Sequence, residues 1–208
     1  MTSNDLKTTV KRPLNGLVLA GGKSKRMGTD KGVMQWHGKE QRYRMADLLQ
    51  ALCNEVFISC REEQQKEIDP AYKTLADAFT NAGPLGGILS ALKSHPGQAW
   101  LVTACDLPLL DLATLEYLVE HRDPRALATT FQSPFDGLPE PLITIWEPSS
   151  LPVLLEHLSA GYTCPRKALI RNNDRINMLQ APDPDKLMNA NTPEDAENVK
   201  ERIRQTNL

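Results

Sequence analysis

Apolar residues along this chain fall into two rhythms. The run Gly16-Leu-Val-Leu-Ala20 is short, apolar and branched, as expected of a strand buried on both faces. Runs of the same kind recur at Val56–Ile58 and Trp100–Ala104, with a less distinct one at Tyr72–Leu75 that ends at Asp77. The stretches between them follow a helical period. Gln41–Leu52 sets Met45, Leu48, Leu49 and Leu52 on one face, and Leu112–His121 repeats Leu112, Leu115 and Leu118 behind the capping residue Asp111. Pro84 suits a first helical position, where its missing N–H costs nothing, and predicts a helix to about Lys93. The polar run Arg61–Ile68 reads as a surface helix.

Beyond residue 125 the pattern is less regular. Strands are expected at Ala126–Phe131 and Leu142–Trp146, flanking a proline-rich loop, Ser133–Pro141. Helices follow over Pro148–Leu158 and from Cys164 to Ile170, and Arg175–Leu179 reads as an edge strand. After the loop Pro182–Asp185 a final amphipathic helix opens with Thr192 as cap, Pro193 in the first turn and Asp195 completing a capping box. Strand and helix alternate over the first 125 residues, which predicts crossover connections and a mostly parallel, mixed sheet in a Rossmann-like, three-layer α/β/α fold. Residues 1–12 are polar and expected to fray, leaving 13–208 as a single domain.

Composition narrows the class. The chain of 208 residues is 40% apolar and 24% charged, the balance of a soluble globular protein. A net charge of −2 speaks against a general nucleic-acid binder. No run is long enough to span a membrane and no signal stretch opens the chain, so a cytoplasmic protein is expected. Cys53, Cys60, Cys105 and Cys164 lack metal-site or redox spacing and read as reduced thiols, and the scattered His37, His95, His121 and His157 as ordinary core or surface residues.

Against this background the segment Leu17–Lys31 stands out. The first strand ends at Gly21-Gly22, and the loop beyond carries Lys23, Lys25, Arg26 and Lys31 against the single acid Asp30. Glycine lets another group approach the backbone closely, and exposed amides beside cations suit a polyphosphate; a plain turn with solvated charges is the alternative. The segment is not a dinucleotide fingerprint, because its glycines are Gly21, Gly22 and Gly28. Nor is it a Walker A loop, because Leu17 stands where that motif needs glycine. In parallel sheets the ligand crevice lies at the carboxyl ends of the strands, and Gly21, Asp77 and Asp106 all follow predicted strand ends. Asp106 suits either a magnesium ligand or a turn cap, Asp77 either a binding or a turn residue, and Asn189 and Asn191 either a site or a turn. Arg166 and Lys167 offer two cations that could receive an anion or simply face water.

Leu19, Ala20, Gly21, Gly22, Ser24, Arg26, Met27, Gly28, Asp30 and Lys31 fit the signature L-A-G-G-x-S-x-R-M-G-x-D-K, and the chain thereby resembles the molybdenum cofactor guanylyltransferases (the MobA family). The likeness continues in Gly83-Pro84-Leu85-Gly86-Gly87-Ile88, in Cys105–Pro108 and in Asn189–Asp195, and is weak across 126–180. It implies transfer of GMP from GTP to the phosphate of Mo-molybdopterin, with Mg²⁺ as cofactor and pyrophosphate as the other product. It further implies a nucleotide-binding part over 13–125 and an acceptor-binding part over 126–208. Arg26, Lys31 and Asp106 would be catalytic, with Asp106 as metal ligand. Leu19, Ala20, Gly21, Gly22, Lys31, Ser59, Asp77, Gly83, Pro84, Leu85 and Asp106 would line the nucleotide site. Ser59 stands where the family can carry asparagine, a departure that bears on the base or ribose contact. Asn189, Asn191 and Arg166 would face the acceptor. Molybdenum-insertion and molybdoenzyme-maturation proteins are the partners this implies. The rivals are a cytidylyltransferase, a transferase for another phosphorylated acceptor such as a sugar phosphate, and a non-catalytic nucleotide-binding accessory protein.

Overall fold

In the computed structural model, residues 13–21, 31–79 and 81–206 are described. Their strands are β1 (Leu14–Leu19), β2 (Val56–Cys60), β3 (Lys73–Ala76), β4 (Ala99–Ala104), β5 (Ala128–Gln132), β6 (Pro139–Trp146) and β7 (Ile176–Leu179). They join in one sheet of order β3-β2-β1-β4-β6-β5-β7. Pairing is parallel except where β6 runs against both β4 and β5, so the sheet is mixed and mostly parallel. The helices are α1 (Gln41–Gln50), α2 (Pro84–Ser94), α3 (Leu112–Glu120), α4 (Ser150–Ser159), α5 (Pro165–Arg171) and α6 (Pro193–Thr206).

Burial on both faces explains the unbroken apolar runs. Along β1, Leu17 belongs to a core with Leu85, Ile88 and Leu89 of α2 and Leu154 of α4, whereas Val18 belongs to a core with Met45 and Leu49 of α1 and Leu115 of α3. Strand β4 divides in the same way, Trp100 and Val102 facing α2 and Leu101 facing α1. Neighbouring side chains on a strand point to opposite faces, so each strand feeds two cores and the three-layer architecture follows. Trp100, Trp146 and Phe131 are fully buried, each a contribution of roughly 1.5–3 kcal/mol on transfer from water. No described helix is long and apolar enough to cross a membrane. The cysteines form no disulfide among the described residues, and burial pushes the Cys53 thiol up to about 12 and that of Cys60 up to about 11.

Two expected elements differ. Arg61–Ile68 is not an α-helix but a 3₁₀ segment over Glu62–Glu67. The run offers no apolar stripe to bury, and the Gln64 side chain bonds back to the Arg61 N–H and guanidinium, tightening the turn. Strand β6 begins at Pro139, inside the expected loop. β4 ends at Ala104 and Thr103 lies opposite Ile143, so Pro139 and Pro141 run past the end of β4, where a missing N–H breaks no ladder bond on that side.

Paired glycines in the middle of a helix lower its stability unless close packing requires them. A Cβ placed on Gly86 of α2 would lie 2.7 Å from the Phe79 carbonyl oxygen. Gly86→Ala should therefore destabilise by about 1–3 kcal/mol of overpacking, exceeding the gain of about 1 kcal/mol in helix propensity. Urea unfolding tests this, and an unchanged or raised midpoint would contradict it.

Candidate active site

Strands β1 and β4 are hydrogen-bonded neighbours, with Leu19 opposite Ala104. Gly21 and Asp106 therefore leave the sheet side by side at its carboxyl edge, the position that open α/β sheets reserve for ligands. The far end of the chain closes on this point. The Ala190 N–H donates to the Asp106 carbonyl at 2.8 Å, which brings Asn189 and Asn191 to the same edge. Lys31 Nζ lies 2.5 Å from Asn191 Oδ1 and 3.4 Å from Asp106 Oδ2. The capping box before α6 holds Asn191 in place. The Asp195 carboxylate accepts from the N–H groups of Asn191 and Thr192, and Thr192 Oγ1 accepts from the Asp195 N–H.

Asp106 Oδ1 is buried without a hydrogen-bond partner among the described residues. An orphaned carboxylate oxygen of this kind fits a hard cation such as Mg²⁺, which commonly takes one or two protein carboxylates and completes its shell with phosphate oxygens and water. No group of three or more His, Cys, Asp or Glu gathers as a metal site among the described residues. A metal here would thus rest on Asp106 and on a substrate.

A second polar cluster lies on the β2–β3 side. Ser59 Oγ donates to Asp77 Oδ1 at 2.6 Å, and a Cβ on Gly21 would lie 3.7 Å from Asp77 Oδ2. A Cβ on Gly87 would fall 2.6 Å from Ser59 Oγ and 2.7 Å from Leu19 Cδ2. Only glycine lets α2 approach these groups. Burial pushes the Asp77 carboxyl above its ordinary value, and the Ser59 hydrogen bond offsets part of that rise. Gly83, at φ +55 and ψ −143, adopts backbone angles that a side chain would resist, and it turns the chain into Pro84. Gly83 and Pro84 are exposed at the helix start, whereas Leu85 is fully buried and anchors that start in the core. Ala20 is buried, its N–H bonded to the Ser59 carbonyl.

Gly22 and Arg26 lie outside the described residues. Arg166 sits at the start of α5, bonded to Asp136 at 2.8 Å and to Glu140 at 2.9 Å, so its guanidinium is engaged by two carboxylates. Absent from the sequence reading is a set of supports under the loop after Asp106. His37 Nε2, Gln41 Nε2 and Arg44 Nη2 donate to the carbonyls of Pro108, Leu107 and Leu110 at 2.9, 3.1 and 2.8 Å. Burial lowers the His37 pKa, which keeps its ring neutral while it donates. The signal was present as polar residues spaced four and three apart beside the Met45 face, a stripe that hydrophobic periodicity passes over.

Residues 16–176 match the family described as the MobA-like NTP transferase domain. The chain is 33% identical over 201 residues to a molybdenum cofactor guanylyltransferase of Pseudomonas fluorescens, covering 93% of this chain and 95% of that protein. It is 36% identical over 187 residues to a molybdenum cofactor biosynthesis bifunctional protein of Synechocystis, covering 88% of this chain but only 52% of that relative's length. The chain thus spans about half of that bifunctional protein. Among solved structures, the molybdopterin-guanine dinucleotide biosynthesis protein A of Archaeoglobus fulgidus superposes with a TM-score of 0.76 at 22% identity, over 92% of this chain and 99% of that one. A nucleotidyl transferase of Methanothermobacter shares the fold with a TM-score of 0.73 at 17% identity, over 93% and 99%.

The raised Asp77 carboxyl has a measurable consequence. The folded protein holds this proton more tightly than the unfolded chain does, so the ionised group costs stability once pH exceeds its folded value and costs nothing below about pH 4, the ordinary carboxylate value. Asp77→Asn should raise the melting temperature at pH 7, with the gain shrinking to nothing below about pH 4. The same gain at both pH values would show that the buried charge is not its source.

Proposed function

Because the chain belongs to the family of MobA-like NTP transferase domains, we propose that this nucleotidyltransferase moves GMP from GTP to the phosphate of Mo-molybdopterin and releases pyrophosphate. The observation that carries the reading is the junction of Lys31, Asp106 and Asn191 at the carboxyl edge of the sheet. The acceptor's phosphate monoester is largely ionised at neutral pH and attacks the α-phosphorus of GTP. A new P–O bond forms there as the bond to the β-phosphate oxygen breaks, and the electron pair leaves with pyrophosphate. No covalent intermediate on the protein is required. Its work is to bring two anions together and to meet the charge that develops between them.

Lys31 supplies a cation at that point, partly withdrawn from water and aimed by Asn191. Asp106 would hold Mg²⁺ through its unpartnered Oδ1, and such an ion would supply electrostatic stabilisation for the charge of the departing pyrophosphate. Arg26 would add a second cation to the phosphates. The backbone at Gly21 can lie close against the nucleotide because no side chain intervenes.

Asp77 favours guanine. The guanine edge presents two adjacent N–H donors, which match the two oxygens of one carboxylate, whereas cytosine presents a single amino donor beside acceptors. A half-buried Asp77 carboxylate that accepts from Ser59 on one oxygen is suited to such a partner. We assign the reaction to the cytoplasm, where chains with reduced cysteines are at home.

Lys31→Ala should lower GTP- and acceptor-dependent pyrophosphate release by about 10²–10³-fold, the usual loss for one charge-stabilising donor. Full turnover in this variant would remove Lys31 from the mechanism. Calorimetry should show GTP binding well above CTP, and Asp77→Ala should erase that preference; a tighter fit to CTP would favour the cytidylyltransferase reading.

A further inference from the structure

The strand order separates the edge of the sheet into two sides. Gly21 and Asp77 follow the ends of β1 and β3 and Ser59 lies on β2, all to one side of β4 and Asp106, while β6 and β5 lie on the other. A nucleotide held over the first side leaves the second for the acceptor. Strand β6 runs antiparallel to β4 with Thr103 opposite Ile143, so its opening residues, Pro139–Pro141, run past the end of β4 at the edge from which Asp106 leaves the sheet. The hairpin joining β5 to β6 therefore stands on the carboxyl edge, beside the proposed reaction centre.

That hairpin is held rigidly. The Ser133 N–H donates to the Leu138 carbonyl at 2.8 Å and the Gly137 N–H to the Ser133 carbonyl at 3.0 Å, with Gly137 at φ +71. Gln132 Nε2 donates to the Gly137 carbonyl, and Asp136 Oδ1 accepts from the Leu138 N–H. Arg166 reaches from α5 to Asp136 and Glu140, tying tip and base of the hairpin to the body of the fold. At the tip, Phe135 is 66% exposed and Leu138 is 40% exposed, and Phe135 is the most exposed large hydrophobic side chain among the described residues. A phenyl ring presented to water on a fixed turn offers a face on which a flat partner can stack.

On the reading of function given above, we propose that Phe135 and Leu138 form the platform on which the planar pterin ring of the acceptor stacks. Arg166 is a positioning residue for this platform: it holds the hairpin and neutralises part of the acidity of Asp136 and Glu140, so that an anionic acceptor meets less repulsion. It does not bind the acceptor's phosphate. Stacked rings gain from apolar contact on a face of any polarity, whereas the phosphate is left to reach Lys31 and Asp106 across the edge.

Equilibrium binding of molybdopterin in the absence of GTP tests this apart from catalysis. Phe135→Ala should weaken molybdopterin binding roughly tenfold, within the range for loss of one aromatic stacking partner, with GTP affinity and melting temperature unchanged. Phe135→Trp should bind molybdopterin and show fluorescence quenching on titration beyond that of the wild-type tryptophans Trp36, Trp100 and Trp146. Arg166→Ala should also weaken molybdopterin binding, and adding Phe135→Ala to it should cost little more, because both changes remove one platform. Unchanged molybdopterin affinity in Phe135→Ala, or no added quenching in Phe135→Trp, overturns the platform. Fully additive losses overturn the positioning role of Arg166. If wild type binds molybdopterin with these responses yet forms no dinucleotide from GTP, the platform stands and the transfer reaction falls.

Discussion

A single ammonium group, that of Lys31, is gripped by oxygens from Asp106 and Asn191, which follow it by 75 and 160 residues. A partly buried lysine needs such oxygens, because desolvating its charge without partners would be costly. These contacts join the segment after β4 and the start of the C-terminal helix to Lys31. The sheet makes the convergence feasible. Its parallel strands are apolar on both faces, so polar groups gather at strand ends, and β1 and β4, as neighbours, deliver theirs to one place.

The surroundings of this junction follow from packing rather than from charge. Gly86 and Gly87 allow α2 to lie against Phe79, Ser59 and Leu19, closing the floor under Asp77. His37, Gln41 and Arg44 occupy the carbonyls of the loop after Asp106, so that the loop cannot drift although it carries no regular structure. The capping box at Asp195 does the same for Asn191. Each support is a hydrogen bond between a side chain and the backbone, and together they leave the cation and the carboxylates with one arrangement.

Stability and function draw apart at Asp77. A buried carboxylate whose pKa is raised by desolvation burdens the protein, and on the proposed function a ligand's donors would lift that burden. The Oδ1 of Asp106 is a further buried oxygen, left without a hydrogen-bond partner among the described residues. Both lie at the carboxyl edge, whereas the interior of the sheet is filled by Trp100, Trp146 and Phe131.

Much of this was legible in the chain itself. The runs at Leu17, Ile58 and Val102, the proline and aspartate at helix starts, and the glycines at strand ends determined the α/β alternation and pointed to Gly21, Asp77 and Asp106, because backbone preference and hydrophobic period are local properties. Local pattern did not show that Arg61–Ile68 tightens into a 3₁₀ segment, nor that β6 begins among prolines past the end of β4. Still less could it show that Arg166 is occupied by Asp136 and Glu140, that His37 supports Pro108, or that Asn191 aims Lys31. Those contacts join residues far apart in the chain, and only the closing of the sheet, with β6 laid antiparallel beside β4 and the C-terminal segment bonded to Asp106, decides which side chains come within reach.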